Sequence, residues 1–193
     1  MKNILVVMNL QNGLINTPEK TALSQKIIEL SQKHIFDRVV CVKFVNRDDG
    51  VFPKYHRYYD MHKGKEIDIV DDLNIDLVIN RSVYSCVSDE FIEKVIKIND
   101  GDNLVELFLC GIGTDTSIMK SALDLFERDI KPLVLVDYCI PYDNSAITQL
   151  KGVKIMSQMI GEKCIVHKEF KSAEDLQGDR KSTRLNSSHA RLS

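Results

Sequence analysis

Ser117 follows a strand-like run and a glycine turn, in a position suited to chemistry. The stretch 104–126 reads LVELFLCGIGTDTSIMKSALDLF: a buried-strand pattern up to Cys110, a Gly-Ile-Gly-Thr turn, then a helical pattern. A side chain in the first turn of a helix lies beside unpaired backbone N–H groups and the positive end of the helix dipole. Ser117 is therefore a candidate nucleophile or a candidate anion ligand.

Six short apolar runs, rich in Val, Ile and Leu, alternate with segments of helical periodicity. Most of these runs are continuously hydrophobic, as strands buried on both faces are. Thr17 and Ser88 are placed as N-caps of two of the helices. The alternation predicts a three-layer α/β/α fold around a mainly parallel six-stranded sheet. The six runs cover residues 4–10, 39–45, 76–80, 104–110, 132–137 and 164–170.

The carboxyl ends of the strands are where ligands bind in a sheet of this kind. Three pieces of the chain meet at that edge: residues 9–13 after strand one, Asn80 and Arg81 at the end of strand three, and the turn 111–117 after strand four. We therefore expect these three pieces to lie close together.

The composition excludes several classes of function. With 193 residues, 44% hydrophobic and 28% charged, the chain is typical of one globular domain. Its apolar runs are far shorter than the roughly 20 residues of a membrane span, so no membrane partner is expected. Five cysteines, an odd number, stand singly beside apolar segments, as reduced thiols of the cytoplasm do.

The last residues differ in composition from the rest of the chain. We expect a single domain over residues 1–170 and a disordered tail over 171–193. Within that tail, residues 179–193 (DRKSTRLNSSHARLS) resemble the in-frame translation of a sequencing-adapter oligonucleotide; a genuine basic tail is the alternative. The stretch has four basic residues and one acidic one, and leaving it out changes the net charge from −2 to −5. An acidic body of this kind is a poor nucleic-acid binder.

Three segments, in order, resemble the isochorismatase-like cysteine hydrolases, a superfamily of nicotinamidases, N-carbamoyl-amine hydrolases and isochorismatases. The specific one is LFLCGIGTDTSIMKSALDLFERDIKPLVLVDYC, which is similar to their strand, C-G-I-A-T-D-x-C-V, helix, strand, D-A-C pattern. The others are ILVVMNLQNGL and GKEIDIVDDLNIDLVINRSVYSCV. The resemblance covers roughly residues 3–170. It implies the same fold, a small-molecule ligand, a homo-oligomer and no cofactor.

The resemblance also implies a catalytic triad of Asp, Lys and Cys. The Cys attacks a carbonyl carbon, the Asp takes its proton, and the Lys supports the pair. Backbone N–H groups near a non-proline cis peptide stabilise the oxyanion. The substrate-binding positions at this turn are, in this sequence, Gln11, Ile112, Gly113 and Thr114.

All three triad positions are substituted here: Asn9 replaces the Asp, Arg81 the Lys and Ser117 the Cys. A serine hydroxyl is much less acidic than a thiol and needs an adjacent base. Asn9 is no base, and Arg81 stays protonated. Since a general base contributes a factor of about 10² to 10⁴, we expect the usual hydrolysis to be lost or strongly impaired.

Two functions follow from these substitutions. In the first, Asn9 and Arg81 leave a net positive centre, which predicts a protein that binds a small carboxylate- or amide-bearing molecule, with Arg81 as a bidentate clamp. In the second, Ser117 is the nucleophile of an active amide or other C–N hydrolase. Its base would be Asp115 or an acid or His of the loop 46–75.

The segment 46–75 is too long for a simple connection and is predicted to be functional. Its first part, residues 47–62, holds five Asp and His residues, and nicotinamidases bind a metal with Asp and His from this region. The spacing does not reproduce their pattern, so a mobile charged lid is the preferred interpretation and no metal site is assigned. The five residues are Asp48, Asp49, His56, Asp60 and His62.

Overall fold

The computed structural model describes residues 2–176, in which strands and helices alternate as the hydrophobic pattern predicts. The strands are β1 (Ile4–Met8), β2 (Arg38–Phe44), β3 (Leu77–Arg81), β4 (Glu106–Ile112), β5 (Lys131–Ile140) and β6 (Ile165–Val166). The α-helices are α1 (Pro18–Gln32), α2 (Asp89–Ile98), α3 (Met119–Glu127) and α4 (Ala146–Ile160). Four short helical turns complete the described elements: Phe52–His56, Gly64–Ile67, Thr114–Ile118 and Glu162–Cys164.

The six strands form one sheet in the order β3-β2-β1-β4-β5-β6, and every pair in it is parallel. The predicted α/β/α architecture with a six-stranded parallel sheet is confirmed. The strand order reverses beside β1, since the chain runs outward through β2 and β3 and then returns to β4 on the other side. Such a reversal leaves a crevice at the carboxyl ends of β1 and β4.

Strand β1 is the centre of the hydrophobic core. All five of its residues have no solvent exposure, because neighbouring strands flank it on both edges and helices cover its faces. The strand is shorter than the predicted run 4–10, because Asn9 has a φ of 63° and turns the chain away from the sheet. Strand β6 is also shorter than predicted and pairs only with Val134 and Leu135 of β5.

Both predicted N-caps are present. The Thr17 hydroxyl accepts a hydrogen bond from the Lys20 N–H at 3.3 Å, and the Ser88 hydroxyl accepts one from the Phe91 N–H at 3.1 Å. Each bond pairs a backbone donor that has no partner within its own helix. The predicted helix after β4 is divided, because a π-helical turn, Thr114–Ile118, precedes α3.

The packed body continues beyond residue 170. Phe170 is 1% exposed and Leu176 is 5% exposed, and both contact the main core. The remaining tail, including the predicted adapter stretch 179–193, lies outside the described residues. In the described part of the chain, no helix is long and apolar enough to cross a membrane.

Replacing Gly111 with Ala is expected to destabilise the fold strongly. Gly111 has a φ of 126°, and a Cβ built there would lie 2.0 Å from the Met8 carbonyl oxygen, so β1 and β4 would have to separate. Gly64 is a matched control, because it has a φ of 72° but nothing within 4 Å of a Cβ. In urea unfolding, Gly64→Ala should lose about 1 kcal/mol, and Gly111→Ala about 3 kcal/mol or more. Equal losses would contradict the close approach of the two strands.

Candidate functional site

Asn9, Arg81 and Ser117 meet in one hydrogen-bonded cluster at the carboxyl edge of the sheet. The Arg81 Nη2 donates to the Asn9 Oδ1 at 2.5 Å and to the Ser117 Oγ at 3.0 Å. All three side chains are buried, with exposures of 0%, 8% and 1% respectively. The structure therefore brings together the three positions that the sequence separates by 36 and 72 residues.

Each member of the cluster is positioned by a different element. Asn9 follows β1 in a left-handed conformation, which Asn tolerates better than most residues. Arg81 ends the edge strand β3, and its guanidinium lies 5.3 Å from the ring centre of Phe44 as it reaches over β2 toward β1. Ser117 lies in the π-helical turn, which Gly113 opens with a φ of 102°.

The amide of Asn9 has only one satisfactory orientation. Its Oδ1 accepts from Arg81, which can only donate, and its Nδ2 donates at 2.7 Å to the carbonyl oxygen of Ile112, which can only accept. The second Nδ2 hydrogen bond therefore runs from Asn9 to the Tyr142 hydroxyl oxygen, at 2.8 Å. A carboxylate in the same place would set an oxygen against the Ile112 carbonyl.

Tyr142 is a site residue that the sequence did not reveal. Its hydroxyl lies 3.2 Å from the Ser117 Oγ, and its backbone carbonyl accepts from the Lys20 Nζ at 2.8 Å. Lys20 is itself buried, and burial lowers its pKa, although the nearby Asp143 acts in the opposite direction. A tyrosine in a loop after β5 carries no sequence signal, since only the folded chain places it beside Ser117.

The Arg81 charge has no anionic partner in the described part of the chain, where no carboxylate oxygen forms an ion pair with it. Burial lowers the pKa of Arg81, while the neighbouring Tyr142 acts in the opposite direction and raises it. The Arg81 Nη1 donates to the Val83 carbonyl oxygen, and its Nε is buried without any hydrogen-bond partner. The site therefore has a positive charge without a carboxylate partner among the described residues, and a buried Nε–H that makes no hydrogen bond.

A cavity of about 390 Å³ opens beside the cluster. Arg81 and Ser117 form its polar end, and most of the remaining wall is aromatic. Two edge-to-face contacts, Phe44–Phe52 and Phe52–Tyr84, each with ring centres 4.9 Å apart, hold the loop 46–75 against the site. The other lining residues are Leu14, His56, Tyr58, Thr116 and Tyr142.

The polar groups at the positions that the resemblance assigns to substrate binding are either hydrogen-bonded within the protein or buried without a partner. Both N–H groups of the Gln11 amide are used, by the carbonyl oxygens of Phe44 and Ile67, so Gln11 fixes the loop next to the cavity. The Gly113 N–H bonds the Ile140 carbonyl at 2.7 Å and is not free for an oxyanion. Thr114 is fully buried, and its Oγ1 has no hydrogen-bond partner.

The cis peptide that the resemblance implies is absent from residues 2–176, in which every peptide bond is trans. That expectation was wrong for this turn. The chain reverses there through the positive φ values of Gly111 and Gly113 instead, and the carbonyl oxygen of the intervening Ile112 points to Asn9.

The five Asp and His residues of the segment 47–62 do not surround a common point. His62 pairs with Asp48 at 3.0 Å, Asp49 with Arg47, and His56 stacks near Phe52. Among the described residues, no group of three His, Cys, Asp or Glu side chains has a metal-binding arrangement. The side chains of this loop therefore do not fit a metal in the way the nicotinamidase comparison implied.

Of the bases considered for Ser117, His56 lines the same cavity, but among the described residues no hydrogen bond joins it to the Ser117 hydroxyl. Asp115 packs its Cβ region against Gly152 of α4, and its buried Oδ1 has no partner. The cysteines are poorly suited to act as nucleophiles here, because all five are buried and burial raises the pKa of Cys86, whose thiol feels the charge of Arg81, to about 11. In the described chain, the polar groups that contact the Ser117 hydroxyl are Arg81 and Tyr142.

Residues 3–162 match a family model described as the isochorismatase domain. A search of curated protein sequences finds none that matches this chain. Solved structures of the same fold include a pyrazinamidase from Pyrococcus horikoshii in complex with zinc, with a TM-score of 0.71 and 15% identity, covering 88% of this chain and 100% of that one.

Two further solved structures are similar in fold. N-carbamoylsarcosine amidase from Thermoplasma acidophilum has a TM-score of 0.60 and 21% identity, over 72% of this chain and 84% of that chain. A protein from L. infantum in complex with nicotinate has a TM-score of 0.66 and 14% identity, over 86% of this chain and 96% of that chain. At these identities the likeness extends to the fold alone.

Tyr58 should titrate late in the folded protein. Burial, followed by the charges of Asp60, Tyr142 and Glu66, raises its pKa from 10.0 to about 12. The folded chain therefore holds this proton where the unfolded chain has lost it. The stability contribution is complete below pH 10 and is lost as pH rises toward 12. Phenolate absorbance during an alkaline titration checks this. Tyr58→Phe should remove the late-titrating phenol, and a titration curve that keeps this late step in Tyr58→Phe would contradict the assignment.

Proposed function

The chain belongs to the isochorismatase family, and we propose that it binds a small carboxylate-bearing molecule in the cavity beside Arg81, without the family's hydrolytic chemistry. The observation that supports this most strongly is the buried guanidinium, which has no carboxylate partner among the described residues and faces a cavity of about 390 Å³. A buried charge is costly unless it is paired. A ligand carboxylate would supply the missing partner.

The hydrogen bonds of Arg81 suit this role. Asn9, Val83 and the Ser117 hydroxyl accept from its two terminal nitrogens and fix the plane of the guanidinium. A carboxylate entering from the cavity would displace the weaker Ser117 contact or use the unpaired Nε. Charge-assisted bonds to a planar fork favour carboxylates over neutral amides.

The aromatic wall favours a flat or apolar body on the ligand. Phe44, Phe52, Tyr84 and His56 present ring faces and edges to the cavity, which suits a small ring or branched chain. The fold relative from L. infantum was solved in complex with nicotinate, a carboxylate on a ring. Its ligand is of the class that we propose here.

The family's hydrolysis is proposed to be absent because the site has neither a proton acceptor at position 9 nor a thiol nucleophile at position 117. Asn9 accepts from Arg81 and donates to Ile112, so its amide can neither take nor return a proton. The serine at position 117 is a weaker nucleophile than a thiol. Amide hydrolysis through Ser117 is the second candidate, and what favours it is that this hydroxyl lines the cavity beside a second hydroxyl, that of Tyr142.

Replacing Arg81 with Met should abolish the preference for carboxylates. Losing a charge-assisted hydrogen bond of about 1.5 to 3 kcal/mol corresponds to affinity falling about 10- to 100-fold. Benzoate, nicotinate and cyclohexanecarboxylate are the probes, with benzamide as the neutral comparison. Binding is followed by calorimetry and by the ligand-dependent shift of the unfolding temperature.

Two variants serve as controls for this measurement. Arg81→Lys keeps the positive charge but loses the two parallel N–H donors of the guanidinium. Its affinity for benzoate should therefore lie between that of wild type and that of Arg81→Met. Arg57→Met removes an exposed arginine of the adjacent loop and should leave benzoate affinity unchanged. Equal carboxylate affinity of wild type and Arg81→Met would refute the proposed function.

The full chain should not hydrolyse small amides, N-carbamoyl amines or isochorismate faster than its Ser117→Ala variant. The physical reason is that Asn9 cannot take or return a proton and that Arg81 stays protonated. Product release is measured for both proteins at matched concentrations. Turnover in the wild type that disappears in Ser117→Ala would instead establish the second candidate, an amide hydrolase with a rebuilt site.

A further inference from the structure

The hydroxyls of Ser117 and Tyr142 lie side by side next to the guanidinium, and both residues line the cavity. Their oxygens are 3.2 Å apart, so one hydroxyl donates to the other. The Ser117 oxygen also accepts from the Arg81 Nη2 at 3.0 Å, and the Tyr142 oxygen accepts from the Asn9 Nδ2 at 2.8 Å. Each oxygen therefore has one lone pair occupied by a donor that cannot reverse its direction.

The hydrogen-bonding capacity of this pair is not used up within the protein. Each hydroxyl has one hydrogen and two lone pairs. The bond between the two hydroxyls uses one hydrogen and one lone pair, and the donors from Arg81 and Asn9 occupy two further lone pairs. One hydrogen and one lone pair remain. They lie on different oxygens, whether Ser117 donates to Tyr142 or Tyr142 donates to Ser117.

A hydroxyl group on the ligand matches this remaining capacity. A carbonyl or ether oxygen only accepts, and an ammonium group only donates, whereas a hydroxyl accepts and donates through the same oxygen. Placed against Ser117 and Tyr142, a ligand hydroxyl closes a ring of O–H···O bonds in which each oxygen donates to one neighbour and accepts from the other. Hydrogen bonds connected in this way polarise and strengthen one another.

The two hydroxyls are held in place before a ligand arrives. Ser117 lies in the π-helical turn, and its side chain is 1% exposed. The backbone of Tyr142 is fixed from behind, since the Lys20 Nζ donates to its carbonyl oxygen at 2.8 Å and to the Asn16 Oδ1 at 3.1 Å. Binding a ligand hydroxyl therefore requires little ordering of protein side chains, which favours affinity.

Arg81 can bind a carboxylate at the same time. A guanidinium has five N–H hydrogens, and among the described residues Asn9, Ser117 and Val83 accept three of them. The Nε–H is one of the two that remain. Because the Ser117 oxygen contacts the guanidinium directly, a small ligand that uses both groups must carry its carboxylate and its hydroxyl on neighbouring carbons.

We propose that the cavity selects 2-hydroxycarboxylates with an apolar or aromatic substituent over the same carboxylates without the hydroxyl. Arg81 binds the carboxylate, Ser117 and Tyr142 bind the 2-hydroxyl, and the aromatic wall around Phe44 and Phe52 receives the substituent. This selectivity rests on the proposed function and narrows it to one class of ligand. Since the carbon that carries all three groups is chiral, one enantiomer is bound in preference to the other.

The test compares (R)-mandelate and (S)-mandelate with phenylacetate, which has the same ring and carboxylate but no hydroxyl. Binding to the full chain is measured by calorimetry. We expect one enantiomer to bind about 10-fold more tightly than phenylacetate, the effect of two hydrogen bonds of ordinary net strength. The other enantiomer cannot place all three groups and should bind about as phenylacetate does.

Two variants assign the preference to the hydroxyl pair. In Ser117→Ala and in Tyr142→Phe the ring of hydrogen bonds cannot close, so the ratio of mandelate to phenylacetate affinity should fall to about 2-fold or less. Tyr59→Phe removes an exposed phenol outside the cavity and should keep the wild-type ratio. The ratio is informative because a general disturbance of the site would weaken both ligands together.

Equal affinity of the wild type for phenylacetate and both mandelates would overturn this selectivity. So would a 10-fold preference that persists in both variants. In either case, phenylacetate binding that is lost in Arg81→Met would still support the proposed function, so the two ideas fail separately. Absence of binding by all three compounds would refute both.

Discussion

The buried guanidinium of Arg81 is the interaction on which the rest of the site depends. A charge inside a protein is tolerated only when the hydrogen-bonding groups around it replace the water it has lost. Here the replacement is incomplete: Asn9, Val83 and Ser117 accept from the terminal nitrogens, and the Phe44 face covers one side. Burial accordingly lowers the Arg81 pKa, and one nitrogen has no partner. The polarity of the cavity, the orientation of Asn9 and the position of Ser117 all follow from this group.

The sheet makes this arrangement possible because it carries groups from distant parts of the chain to one edge. Asn9 leaves the central strand, Ser117 leaves β4, and Arg81 comes from the edge strand β3 across β2. Each has to turn off its strand within one or a few residues. The positive φ of Asn9 and the close approach of Gly111 to β1 provide those turns, at positions where most side chains are excluded.

The strands, their parallel order and the family were predictable from the sequence because they depend on hydrophobic runs and local turn chemistry. The strand ends predicted that three pieces of the chain meet at one edge, and the resemblance to the family singled out Asn9, Arg81 and Ser117 within them. The role of Gln11 did not, since its amide is used by Phe44 and Ile67, whose positions depend on how the loop 46–75 folds back. Tyr142 was missed for the same reason. A single polar residue in a loop has no periodicity, and its partners are about 25 and 133 residues away.

The three residues that the sequence resemblance aligns with the catalytic triad, Asn9, Arg81 and Ser117, are physically consistent with one another. An Asp at position 9 would neutralise the charge at position 81, but it would also place an oxygen 2.7 Å from the Ile112 carbonyl, where Asn9 now donates. A Lys at position 81 has a single donor centre, whereas Arg81 spans from Val83 to both Asn9 and Ser117. Changing one of these positions therefore breaks contacts made by the others. The site behaves as a unit whose positive charge, unpaired with any carboxylate of the described residues, favours an anion in the cavity.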